Sequence, residues 1–102
     1  MVHLRIQREL ERQWRSVLER EVNDNLSPIQ DRLRNVRIHF VGMAHAGNAR
    51  QGFRCVLVGR GLGGETYHTE ADSADGRMAI HDALLRARQA VDRRPFPPKP
   101  QR

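Results

Sequence analysis

The residues best equipped for chemistry in this chain are its arginines. They supply all but one of the 18 basic side chains, against 12 acids, leaving a formal charge of +6 and an isoelectric point near 11.2. A guanidinium forks to phosphate oxygens and stacks on bases, so an arginine surplus points to nucleic acid as partner. A high-GC genome also enriches arginine over lysine, so net charge and its placement carry more weight than the bias itself. The charge is segregated: net positive before residue 65, net negative from 65 to 85, and net positive again from 86 onward. That distribution suits a surface that meets a polyanion on some sides only.

Two groups of basic residues stand out. His3, Arg5, Arg37, His39, Arg54, Arg60 and His68 alternate with apolar residues, so they share the outer face of a sheet. Against them stands one obvious acid, Glu70. Val41, Val56 and Val58 fall on the same face, apolar enough to suggest that something covers it. The plain alternative is a merely solvated polar face. The second group lies on a C-terminal helix. There Arg77, His81 and Arg88 fall within about 40° on one flank of the apolar stripe, and Arg86 and Arg93 on the other. Compensation of the helix dipole would account for basic residues in a last turn. Reinforcement by Arg94, Lys99 and Arg102 makes a phosphate-contacting patch the better reading, and the density of Arg86, Arg88, Arg93 and Arg94 makes it the stronger focus of positive potential.

Other chemistry finds little support. The five histidines follow no zinc spacing, although His39 and His68 could be cross-strand neighbours. No Ser/His/Asp order, phosphate loop or Gly-x-Ser-x-Gly is present. The glycine-rich run Gly59 to Gly64 joins two strands rather than a strand to a helix, so it is a turn and not a nucleotide-binding loop. Cys55 reads as a small buried hydrophobe. No catalytic residue, metal ligand or cofactor is expected.

The elements that position these residues follow from hydropathy periods. Val36 to Met43 and Phe53 to Gly61 alternate as neighbouring strands, with Val36, Ile38, Phe40, Phe53, Cys55 and Leu57 inward. Gly63 and Gly64 turn the chain into a strand with Tyr67, Thr69 and Ala71 inward and Thr66, His68 and Glu70 outward. Val2, Leu4 and Ile6 mark a first strand. A helix follows from about Glu9, striped by Leu10, Trp14, Val17, Leu18 and Val22. Ser27, Pro28 and Gln30 read as a capping box at which the helix kinks or restarts, finishing near Arg34 with Ile29 and Leu33 inward. Ser73 or Asp75 caps a last helix, with Ile80, Ala83, Leu84, Ala87 and Val91 inward. The small, polar segment from Ala44 to Gly52 reads as a mobile connection. The order is β-α-β-β-β-α: an α+β fold, one four-stranded sheet with two helices packed on one face.

A chain of 102 residues makes one domain, expected over residues 1–94. Residues 95–102, rich in proline, are expected to be an extended, disordered tail. No run approaches the roughly 20 apolar residues that span a bilayer, and the N-terminus lacks a signal peptide's apolar core. A single cysteine cannot form an internal disulfide, which suits an intracellular, cytoplasmic protein. The residues alone therefore lead to a basic RNA- or DNA-binding α+β module without an enzyme site.

Three stretches carry a more specific likeness. Leu33 to Phe40 leading into a strand, the turn and strand Gly63 to Ala71, and the helix from Asp75 to Val91 together resemble the ribosome hibernation-promoting factor family in its short form. That family includes the ribosome-associated inhibitor A proteins, also called ribosomal subunit interface or sigma-factor modulation proteins. Asp75, Ala79, Ile80 and Asp82 match its pattern of Asp, two or three residues, then Ala-Ile-Asp, with His81 intervening before the acid. The resemblance covers nearly all of residues 1–94. It implies a non-enzymatic protein, monomeric off the ribosome, with neither a membrane nor a small-molecule substrate. It would bind the small ribosomal subunit at the decoding channel, contact ribosomal RNA phosphates through basic side chains, and silence idle ribosomes in stationary phase or stress. Two other classes compete. A double-stranded RNA-binding module shares the α-β-β-β-α core but normally carries lysines at the start of its second helix, where this chain has Ser73, Ala74, Asp75 and Gly76. A small enzyme or metal protein lacks its constellation of residues.

Overall fold

The structure is a computed structural model that describes residues 2–44 and 51–93. Its elements run β1 (Val2–Ile6), a short 3-10 turn (Arg8–Leu10), α1 (Glu11–Leu26), a second 3-10 segment (Ser27–Arg32), β2 (Leu33–Ala44), β3 (Gln51–Gly61), β4 (Thr66–Ser73) and α2 (Gly76–Arg93). The sheet order is β1-β2-β3-β4. β1 lies parallel to β2, with Val2 opposite Val36 and Ile6 opposite Phe40. The other pairs are antiparallel, with Phe40 opposite Cys55 and Cys55 opposite Ala71. This is the expected β-α-β-β-β-α order, with both helices packed on the same face of the sheet.

Period-2 alternation on the strands and helical spacing on α2 meet in one core. Val36, Ile38, Phe40, Cys55, Leu57 and Ala71 come from the sheet, and Ala79, Ile80, Ala83, Leu84, Ala87 and Val91 from α2. Leu18, Leu26 and Ile29 close it from the α1 side. Leu10, Trp14 and Val17 are only half-buried against it. Trp14 nonetheless anchors α1: its ring centroid lies 5.2 Å from those of both Phe40 and Phe53. Phe40 and Phe53 stack on each other at 5.5 Å.

The chain ends α1 earlier than its pattern suggests. The expected capping box does not form: the N-cap position falls on Leu26 with no side-chain cap hydrogen bond, and Ser27 and Pro28 begin a 3-10 segment rather than a new α-helical turn. Leu33 does point inward, but from the first position of β2. A register shift between Arg34 and Arg37 follows at once, where Asn35 sits at φ 52°. Two residues, Asn35 and Val36, thus oppose Gly59, which is a β-bulge. Asparagine tolerates the left-handed region better than other side chains.

The α2 start follows the expected logic. Asp75 Oδ1 accepts from Arg77 N at 2.9 Å, and Ser73 Oγ accepts from Asp75 N at 3.1 Å. At the other end of α2, the Arg32 guanidinium donates to the Val91 carbonyl at 2.8 Å and pairs with Asp92 at 3.1 Å. A cation therefore caps the negative end of the helix dipole. The segments 45–50 and 94–102, which include the expected loop and tail, lie outside the described residues.

Candidate nucleic-acid interface

The outer face of the sheet is a grid of side chains set by strand register. Along β1 and β2, His3 lies beside Arg37 and Arg5 beside His39. Between β2 and β3, Arg34 opposes Arg60, Arg37 opposes Val58, His39 opposes Val56, and Val41 opposes Arg54. Between β3 and β4, Arg60 opposes Thr66, Val58 opposes His68, Val56 opposes Glu70, and Arg54 opposes Asp72. His39 and His68 are therefore not neighbours, because β3 runs between them. Val56 and Val58 form a small apolar strip in the middle, with Val58 left 38% exposed.

Charge is polarised across this grid. Asp72 is a second acid on the face, beyond Glu70, and it holds Arg54 in a two-pronged contact: Nε to Oδ1 at 2.8 Å and Nη2 to Oδ2 at 3.1 Å. The hydrogen bond to Asp72, and then its charge, raise the Arg54 pKa above its ordinary value. Arg54 is therefore a committed partner rather than an open cation. Arg5, Arg34, Arg37 and Arg60 are exposed and make no ion pair or hydrogen bond among the described residues. Along Arg5, Arg37 and Arg60 runs a shallow trough in two parts. One, of about 440 Å³, is lined by His3, Asn35, Arg37, Val58, Gly59, Arg60 and Thr66. The other, of about 480 Å³, continues it past Arg5 and His39. Among the described residues, no acid lines either part.

The α2 residues divide differently. Arg77 and His81 turn toward α1, where Glu21 is only 7% exposed. Glu21 receives Arg77 Nε at 3.7 Å and lies 3.4 Å from His81 Nδ1, and Asn25 Nδ2 donates to its carboxylate at 3.3 Å. These contacts tie the two helices together. Arg86 Nη1 donates to the Glu70 carbonyl at 2.5 Å, stitching α2 to β4. Arg88, half-buried, and Arg93, exposed, make no such contact among the described residues. Arg94 and Lys99 lie outside them.

Sequence reasoning missed Arg34 and Asn35, which the helix expected to end near Arg34 had absorbed. It also missed the buried Glu21. The signal that could have found Glu21 is its place on the apolar stripe, i+3 from Leu18 and i+7 from Trp14. Among the described residues, no three His, Cys, Asp or Glu side chains could hold a metal ion. Cys55 is fully buried, and burial pushes its thiol pKa up to about 12. No helix among the described residues is long and apolar enough to cross a membrane.

No family model and no curated protein matches the chain. Solved structures do resemble it. A ribosomal subunit interface protein from Coxiella burnetii superposes with a TM-score of 0.67 at 16% identity, over 89% of this chain and 92% of that one. The N-terminal domain of Protein Y from Thermus thermophilus superposes with a TM-score of 0.62 at 18% identity, over 90% and 96%. At these identities the likeness establishes a shared fold, the one implied by the resemblance in the sequence.

Proposed function

We propose that the protein is a cytoplasmic, ribosome-associated hibernation factor. It binds the small subunit through ribosomal RNA phosphates, blocks translation while bound, and performs no catalysis. Two independent lines support this reading. The fold is shared with a ribosomal subunit interface protein and with Protein Y. The carrying observation is the trough on the outer sheet face, lined by arginines that have no ion pair and by no acid among the described residues. Arg88 and Arg93 on α2 add a second basic region on the helical side.

Sedimentation with purified small subunits over a salt series tests it. With roughly 5–8 phosphate contacts, the log–log salt slope is about four to seven units negative. Failure to co-sediment, or an affinity independent of salt, overturns the reading. Equal binding to any duplex RNA of arbitrary sequence points instead to a double-stranded RNA-binding module.

A further inference from the structure

The bulge in β2 does something that a regular strand could not. In an unbroken strand, residues 34 and 37 would face opposite sides of the sheet. The extra residue, Asn35 at φ 52°, resets the alternation so that Leu33 and Val36 point inward while Arg34 and Arg37 are both exposed. Arg34 then lies directly across from Arg60, and Arg37 lies beside His3 in the next row. Three guanidiniums and an imidazole gather where a straight strand would have offered fewer.

That arrangement is unfavourable for the protein by itself. Like charges directly opposite on adjacent strands destabilise a sheet, and no acid relieves either Arg34 or Arg60 among the described residues. Bulges bend the strand and re-aim side chains, and here the bulge sits in the wall of the trough with Asn35, Arg60 and Thr66. The charge left unmatched is positive, and the fork of an arginine fits phosphate oxygens.

We infer that the bulge builds a dedicated site for neighbouring phosphates of an RNA strand, held by Arg34, Arg60 and Arg37 with His3 at its rim. This deepens the proposed function, since it rests on RNA as the partner and names the part of the surface that grips it. Arg34 and Arg60 take the first phosphate from the two sides of the β2–β3 pair. Arg37 takes the next, one row along toward β1.

Two probes test the site: inorganic pyrophosphate, as a minimal pair of phosphates, and hexauridylate, as a short single strand. In an NMR titration of the wild-type protein with pyrophosphate, signals of Arg34, Asn35, Arg37 and Arg60 shift first and saturate. The double variant Arg34→Gln/Arg60→Gln binds hexauridylate about tenfold or more weaker. Its salt slope is shallower by about 0.7, the contribution of the one single-strand phosphate that Arg34 and Arg60 share. The variant Arg12→Gln/Arg20→Gln makes the same change in net charge on the exposed side of α1 and retains most of the affinity. Equal weakening by the two pairs overturns the site, because net charge alone would then explain binding. So do pyrophosphate shifts centred on α2 or spread evenly over the exposed arginines. The two proposals fail separately. Pyrophosphate binding at the bulge without small-subunit association removes the ribosomal reading and leaves the site standing. Small-subunit binding undiminished in Arg34→Gln/Arg60→Gln removes the site and leaves the ribosomal reading standing.

Discussion

Replacing Gly76 by alanine sets two effects of known sign against each other. Gly76 opens α2, and its φ is not in the left-handed region, so alanine fits the backbone. Reduced freedom of the unfolded chain and better helix propensity would stabilise the variant by about 0.4–1 kcal/mol. Against this, the added Cβ would lie 2.6 Å from Trp14 Cη2, 2.8 Å from Trp14 Cζ2 and 3.0 Å from Phe40 Cζ. None of these atoms ends a flexible side chain. The indole is packed against Phe40 and Phe53, and those two rings stack on each other. Overpacking of this kind costs about 1–3 kcal/mol, so the clash wins and Gly76→Ala loses about 1–2 kcal/mol net. Urea melts would read this as a lower midpoint with an unchanged slope. A double-mutant cycle isolates the cause: in a Trp14→Leu background, which frees the space, the same substitution becomes neutral or stabilising. A gain in stability in the Trp14 protein would refute the reasoning, since the α1–α2 contact would then be loose.

Two further outcomes follow from local geometry. Asn35→Val places a β-branched residue in the left-handed region and destabilises the fold by about 1–2 kcal/mol, whereas Asn35→Gly is tolerated without loss; equal melting of the two would mean that the bulge does not hold this conformation. The Cys55 thiol, buried and with its pKa raised from 9.0 to about 12, stays inert to thiol reagents until the protein unfolds. Because the folded state keeps the proton longer than the unfolded one, its contribution is present in full below pH 9 and erodes as pH rises from 9 toward 12, with a limiting slope of about 1.4 kcal/mol per pH unit. Cys55→Val lacks that component in a comparison of pH-dependent melts.

The strand phases and the face of α2 were legible because each obeys one period without interruption. Phe40, Cys55, Leu57, Ile80 and Leu84 fall inward as their spacing requires. The failure at residues 27–34 has a physical cause. Leu33 is three residues from Val36, an odd step that contradicts strand alternation, while its four-residue step from Ile29 imitates a helix. Only the bulge at Asn35 reconciles Leu33 with the strand, and a bulge leaves no hydropathy signature. The charged contacts were hidden for a different reason. Arg54 meets Asp72, and Arg34 meets Arg60, through cross-strand register, which the alternation of a single strand does not determine. Glu21 broke the rule that charge stays outside, and it does so at the helix–helix junction where Arg77 and His81 approach it.

The parallel edge strand gives this sheet a weak margin. β1 has five residues and pairs with β2 along one side only, and parallel pairing is slightly less stable per residue than antiparallel. The other strands form a continuous meander covered by α2, so β1 can peel away while that unit persists, as local openings in native proteins do. Its amides should then exchange with deuterated solvent ahead of those in β3. Yet β1 carries His3 and Arg5, one wall of the trough. A polyanion that bridges this wall to Arg37 on β2 binds only the closed form, and mass action couples its occupancy to closure. Slowed deuterium uptake confined to residues 2–6 would therefore register a ligand on the outer face, even one that leaves the rest of the molecule unchanged.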